Sequence, residues 1–456
     1  MKLKAMAASC LFTAMILTCA AALAKSTPEE VASLDGPKYT CMGAERAGNG
    51  KDIPEYTGKF KGSWPGMKGK SGFEPGPYAD EKPQFTISAA NMAQYEARLT
   101  EGEKALLKKY PTYKMNVYPA HRDFANPQWA CEATKKNAAT SGVIHDGKGV
   151  TGLGGGLVFP FPKSGLEAIW NAINPPRVWT EEAIVDVAGV YANGSIAWGR
   201  NKFKVLALIY DPKKRIALDS PINSYFYTSY LLPQRDKGFT AVGYQPNDFS
   251  KDATQSWQYL PGIRRVRQAP EVGFDYPVPP NGLRTVDDDY GFNGSPERYT
   301  WKLIGKKEML VPYHNFKVND PAVKYKDLIK PGGTINADYL RYEPHRVWVL
   351  EGTLKQGVRH IYTKRLLYLD EDTWLTMMAD NYDARGKLWR VALVTFHYSQ
   401  ESGTFHRGAT IYHDLTSGAY EAGYLTNEAG ENWWKINREG ISPKDFSPEA
   451  AARGGH

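Results

Sequence analysis

The stretch RVWVLEGTLKQGVRHIYTKRLLYLDEDTWLTMMADNYDARGKLWRVALVTFHY, residues 346–398, decides the fold. It reads as four apolar runs separated by polar turns. Arg346 to Leu354 turns at Lys355-Gln356-Gly357, and Val358 to Leu369 turns at Asp370-Glu371-Asp372. Trp374 to Tyr382 turns at Asp383-Ala384-Arg385-Gly386, and Leu388 to Tyr398 completes the set. Apolar runs of strand length, rich in aromatic and β-branched residues and closed by turn residues, predict an antiparallel meander.

Upstream, Phe203 to Tyr210 ends at Asp211-Pro212, and Asn223 to Leu232 and Phe239 to Tyr244 continue the pattern. Helical signals are few. Thr100 and Glu103 form a capping box in a helical stretch over 89–110 that Pro111 stops. A second helix starts at Ser164, with Glu167 three residues on, and ends at Pro175-Pro176. So few helices cannot supply the crossovers of a parallel sheet, so the fold class is mainly β: a curled antiparallel sheet. The strands are too apolar to leave both faces in water, so the helices near 89–110 and 164–173 are expected on the concave face.

Composition agrees. Among 456 residues, Gly 43 and Pro 30 predict many turns, and Tyr 28, Phe 17 and Trp 12 favour strands. Charged residues at 23% and hydrophobics at 42% exclude a disordered chain, a collagen and a polytopic membrane protein. Lys2 and Lys4 precede an uncharged, mostly apolar run from Ala5 to Leu23, with Ala22-Leu23-Ala24 as a small-x-small site. Residues 1–24 therefore read as a secretory signal peptide cleaved after Ala24, with a retained anchor or a lipoprotein as alternatives. Cleavage removes two of the eight surplus positive charges and also Cys10 and Cys19. Cys41 and Cys131 remain. In an oxidising compartment they are expected to form one disulfide, two buried free thiols being the alternative. Residues 25–88, dense in Gly, Pro and Lys, read as an extended arm, 89–441 as the β-domain with helical insertions, and 442–456 as a flexible tail.

Catalytic motifs are absent: there is no G-x-S-x-G, H-E-x-x-H, P-loop or C-x-x-C, so no catalytic residue, metal ligand or cofactor is assigned. Gly152 to Gly156 lacks the Lys-Ser/Thr of a phosphate loop and reads as a flexible loop, able to gate an opening. Asp287-Asp288-Asp289 lacks the further ligands of a calcium loop and reads as a turn. Arg265 and Arg267 share one face of a strand. They are candidates for holding an anionic head group, and the alternative is pairing with the acids at 287–289. Trp348, Tyr362, Tyr368, Trp374 and Trp389 are candidate ligand-binding aromatics of the meander. The charges are interleaved, which disfavours nucleic acid as a partner.

Several longer strings carry a resemblance. They are WQYLPGIRRVRQAP (257–270), GLRTVDDDYGFNGSPERYTWKLIGKKEM with LVPYHN (282–315), and LRYEPHRVWVLEGTLKQGVRHIYTKR (340–365). LYLDEDTW (367–374), ADNYDARGKLWR (379–390), ISAANMAQYEARLTEGEKALLKKYP (87–111) and PFPKSGLEAIWN (160–171) add to it. Together they resemble the periplasmic family known as domain of unknown function 1329, over roughly 40–440 of the chain. That resemblance implies kinship with lipoprotein carriers of the LolA/LolB type and hence an unclosed antiparallel β-barrel. It also implies a periplasmic carrier for a lipid or other hydrophobic molecule. The expected partners are a resistance-nodulation-division type exporter and an outer-membrane protein. The rival expectations are a non-catalytic adaptor between those two and an envelope enzyme with an unrecognised site.

Overall fold

The computed structural model describes residues 25–61, 64, 76–214, 216–269, 273–399, 403–429 and 434–455. The expected signal peptide lies outside the described residues. The strands begin with β1 Phe85–Ile87, β2 Met115–Val117, β3 Gly142–Ile144 and β4 Gly149–Thr151. Next come β5 Thr180–Val190, β6 Ile196–Ala207, β7 Ile222–Leu232, β8 Thr240–Pro246, β9 Gln255–Leu260 and β10 Arg265–Gln268. The rest are β11 Tyr299–Pro312, β12 Tyr342–Leu354, β13 Lys364–Asp370, β14 Thr376–Tyr382, β15 Leu388–Ser399, β16 Thr404–Asp414, β17 Tyr420–Leu425 and β18 Trp434–Ile436. The α-helices are α1 Pro28–Ser33, α2 Glu101–Lys109, α3 Gln128–Thr140, α4 Gly165–Ile173, α5 Tyr325–Leu328 and α6 Pro448–Gly454.

All strands except β3 and β4 join one sheet, in the order β1-β2-β12-β13-β14-β15-β16-β17-β5-β6-β7-β8-β9-β10, with β11 on β12 and β18 on β5. Every pairing is antiparallel except a one-residue parallel contact of β2 with β12. The sheet curls, since β11 lies against β14 and β15 across the intervening strands. It does not close: among the described residues β10 pairs only with β9. The fold is thus mainly β, an unclosed curled antiparallel sheet, as expected.

Register shows where the core sits. Val349, Tyr368, Met378, Leu393, Ile411, Ala422 and Ala188 are successive cross-strand neighbours. All seven belong to one buried cluster. One residue along, Leu350, Leu367, Ala379, Ala392 and Tyr412 form a parallel row in a second cluster. Successive side chains point to opposite faces, so the meander buries both.

Each face therefore has its own cover. Leu106 and Leu107 of α2 pack into the first cluster. Ala168, Ile169 and Trp170 of α4 pack into the second. The two helices expected together on the concave side lie on opposite faces, because both faces are apolar. Their caps are as read: Thr100 and Glu103 complete the capping box, and Ser164 accepts from the Glu167 N–H.

The start of the arm runs over the second face, with Cys41 and Met42 in its cluster, and Tyr56 further along packs into the first. The arm's Cys41 is bonded to Cys131 of α3, with Cα atoms 5.2 Å apart. Arg122 ties it further, donating to the carbonyls of Glu45, Arg46 and Pro54 while forking onto Asp372 at 2.7 and 2.8 Å. Residues 442–455 are not a loose tail. Phe446 and Ala451 are buried against Tyr227, Val242 and Tyr259, and Ser447 caps α6. Nor is the 152–156 loop an open cradle or gate. A Cβ on Gly155 would strike the Trp129 ring and one on Gly156 the α3 backbone, so these glycines permit close packing.

Candidate functional site

A small cavity of about 70 Å³ opens where the arm meets the crossover between β11 and β12. Tyr78, Tyr118, Phe316 and Tyr339 supply aromatic walls, and His314 and Arg341 supply a polar base. The crossover is shaped by Asn315, which donates to the carbonyls of Tyr313 and Arg341 and accepts from the Arg341 N–H at 2.8 Å. His314 adopts a positive φ of 48°, which turns the chain. Gly76 brings the arm onto Phe316: a Cβ there would lie 2.1 Å from the ring, so only glycine allows this approach.

The base is a chain of ion pairs. Arg341 contacts Glu81 at 2.7 Å and donates to Glu343, and its guanidinium lies 4.5 Å above the Tyr118 ring. His121 stacks on Tyr78 at 3.6 Å and meets Glu81 at 2.7 Å, and its backbone N–H donates to Glu343. His314 meets Glu343 at 3.0 Å. Burial alone would raise the Glu343 pKa, but His314 and then Arg341 beside it hold it well below the usual carboxylate range. At His314 burial outweighs the opposing pull of Glu343 and lowers its pKa. The groups at the base are thus engaged with one another.

Behind the base the chain continues inward. Tyr313 stacks on His345 at 3.8 Å and donates to Asp370. Glu343 and Asp370 flank His345 at 3.6 and 3.5 Å, and against the effect of burial they raise its pKa to about 9. His345, Asp370 and Asp372 have donor atoms within 4.8 Å of one another, close enough to surround a metal ion. Arg122 already neutralises Asp372, so a cation would have to displace that pairing.

The residues singled out in the sequence lie elsewhere. Trp348 and Trp374 stack at 5.7 Å, and the Trp374 indole donates to the Met42 carbonyl, so this pair anchors the arm. Tyr362 donates to Asp288 and accepts from Arg390, while Trp389 donates to Asp414. Tyr368 points to the other face, towards Asp380 at 3.1 Å. None of the five lines the cavity. Arg265 and Arg267 are exposed on β10 at the open end of the sheet. The acidic run does not pair with them. Asp287 and Asp288 meet Arg365, and Asp289 meets Arg407 at 2.6 Å.

The cavity residues were missed because the arm and the crossover are more than two hundred positions apart. One local signal existed. Arg341, Glu343 and His345 alternate in RYEPHR, so on a strand they share a face, as they do here.

A family model described as protein of unknown function (DUF1329) matches residues 86–452. An uncharacterized Pseudomonas aeruginosa protein, PA3922, is 38% identical over 450 residues, covering 97% of each chain. The chain belongs to the DUF1329 family. Among solved structures, a DUF1329 family protein from Desulfovibrio piger is 14% identical, with a TM-score of 0.41 over 60% of this chain and 92% of that one. The LolA superfamily protein NE2245 from Nitrosomonas europaea is 13% identical, with a TM-score of 0.37 over 63% of this chain and 99% of that one. Likenesses this loose transfer neither a site nor a ligand.

Proposed function

We propose that this member of the DUF1329 family is a periplasmic binding protein for a small hydrophobic or amphipathic molecule. The observation that carries the reading is the cavity under the arm, with aromatic walls and a charged base. At about 70 Å³ it has room for one end of such a molecule, below the roughly 300–1,000 Å³ common to sites that take up a whole ligand. Binding there would come from burial of apolar ligand surface, with the Arg341 end orienting a polar group. The base groups are occupied by one another, which favours binding over acid–base catalysis. The Cys41–Cys131 disulfide supports an oxidising compartment. Among the described residues no helix is long and apolar enough to cross a membrane. Cooperation with a resistance-nodulation-division type exporter and an outer-membrane protein rests on the family resemblance alone.

The test is titration of the purified protein with a fluorescent naphthylamine probe. Saturable binding is expected, and Phe316→Asp or Gly76→Val should abolish it while the melting curve stays cooperative. Absence of binding, or binding indifferent to both substitutions, would reject the reading. The adaptor reading would then take its place, since both faces of the meander are packed.

A further inference from the structure

Strands β5, β7 and β9 run towards one end of the sheet, and β6, β8 and β10 return from it. The turns 191–195, 233–239 and 261–264 therefore form one rim. Gly238 in the second turn sits beside Pro261 in the third, where an added Cβ would lie 3.6 Å from the Pro261 side chain. Six large hydrophobic residues are exposed among the described residues, and four of them are here: Tyr191 at 40%, Ile196 at 36%, Leu232 at 40% and Ile263 at 47%. No packing requirement puts them in water.

The same rim is basic. Arg235, Lys237, Arg264, Arg265 and Arg267 are all exposed. The acid within these turns, Asp236, pairs with Arg235 at 3.3 Å. Arg264, Arg265 and Arg267 form no ion pair with a described residue. The turn at the other end of β8 and β9, 247–254, carries Asp248 and Asp252 against Lys251 and exposes no large hydrophobic residue. Charge and exposed apolar surface thus coincide at one end of the sheet.

We infer that this rim docks the protein onto a bilayer containing anionic phospholipid. A protein partner would need roughly 800 Å² of continuous complementary surface. The rim instead offers separate apolar side chains on protruding turns. A bilayer accepts these one by one into its headgroup region, while arginines reach the phosphates and lay their stems along the interface. Tyr191 suits that depth because its ring is apolar and its hydroxyl polar. The inference stands apart from the cavity reading, since the rim shares no residue with the cavity.

Vesicle co-sedimentation tests it, comparing phosphatidylethanolamine–phosphatidylglycerol vesicles with phosphatidylcholine vesicles at low and at physiological salt. The protein is expected to bind the anionic vesicles, and salt should weaken binding. The combined variant Arg264→Glu, Arg265→Glu, Arg267→Glu should lose about a hundredfold in affinity or more, since each basic residue near such a surface is worth roughly a factor of five. Leu232→Asp with Ile263→Asp should lose about tenfold or more. All these side chains are exposed, so melting temperatures should be unchanged, which separates lost docking from lost fold. Failure of the unaltered protein to bind anionic vesicles at low salt would overturn the inference. So would equal binding to neutral vesicles, or full binding by either variant.

Discussion

Two pairs of buried carboxyls, one on each face of the meander, are accommodated in different ways. On the α4 face, Asp287 and Asp288 surround the guanidinium of Arg365, which is completely buried. Burial would raise the Asp287 pKa, yet Arg365 and His360 bring it down to about 2. On the α2 face, Asp380 and Glu103 lie buried with no ion pair to a described residue. Asp380 accepts from the Gly102 N–H and the Tyr368 hydroxyl, and Glu103 accepts from the Thr100 N–H. Burial dominates there, raising Asp380 to about 7 and Glu103 well above its ordinary value. The protein solves one problem in two ways, with a fixed cation on one face and with raised carboxyl pKa values on the other.

The comparison breaks most visibly at Arg365. Arg365→Met leaves two buried acids without their cation, so equilibrium urea unfolding should show a loss of about 3–5 kcal/mol. The second test uses pH. The folded pKa of Asp380 lies above its unfolded value, so the folded state holds the extra proton between about pH 4 and 7. Stability from this group is present below that window and is lost as pH rises through it, by about 2–4 kcal/mol. Asp287 has the opposite sign: its stabilisation is present above about pH 4 and is lost as pH falls towards 2. Melting from pH 4 to 8 should therefore show a decline that Asp380→Asn removes, leaving that variant the more stable at pH 8.

A third, smaller effect sharpens the same contrast. Tyr368→Phe deletes a donor to Asp380 and should cost about 1–2 kcal/mol by urea unfolding, with the pH decline retained. Least of all, Thr100→Ala uncaps α2 above the Asp380 and Glu103 pair and should cost about 1 kcal/mol in the same assay.

Much of the frame was legible. The turns of the 346–398 meander, the caps at Thr100 and Ser164 and the bonded Cys41–Cys131 pair are local signals or consequences of parity. Which face each side chain takes was not legible. With both faces buried, polarity no longer alternates along the strand, so nothing in VWVL or RLLYLD separates Tyr368 from Leu367 and Leu369. Helix α3 escaped because Pro127 precedes it without a side-chain cap. The packing of the tail was illegible because the wall that buries Phe446 and Ala451 is contributed by distant strands. The candidate cavity was illegible for the same reason, except for the alternation of Arg341, Glu343 and His345. Arg365 finds its acids at 287 and 288 through the sheet, and no spacing in the sequence signals that.

The arm adds an element of time. Its anchors on the body come late in the chain: Trp374 follows Met42 by 332 residues, and Asp372 follows Arg122 by 250. At roughly 5–20 residues per second, the arm exists for about 15–60 seconds before the turn that receives it has been synthesised. The arm is therefore made well before the strands that anchor it.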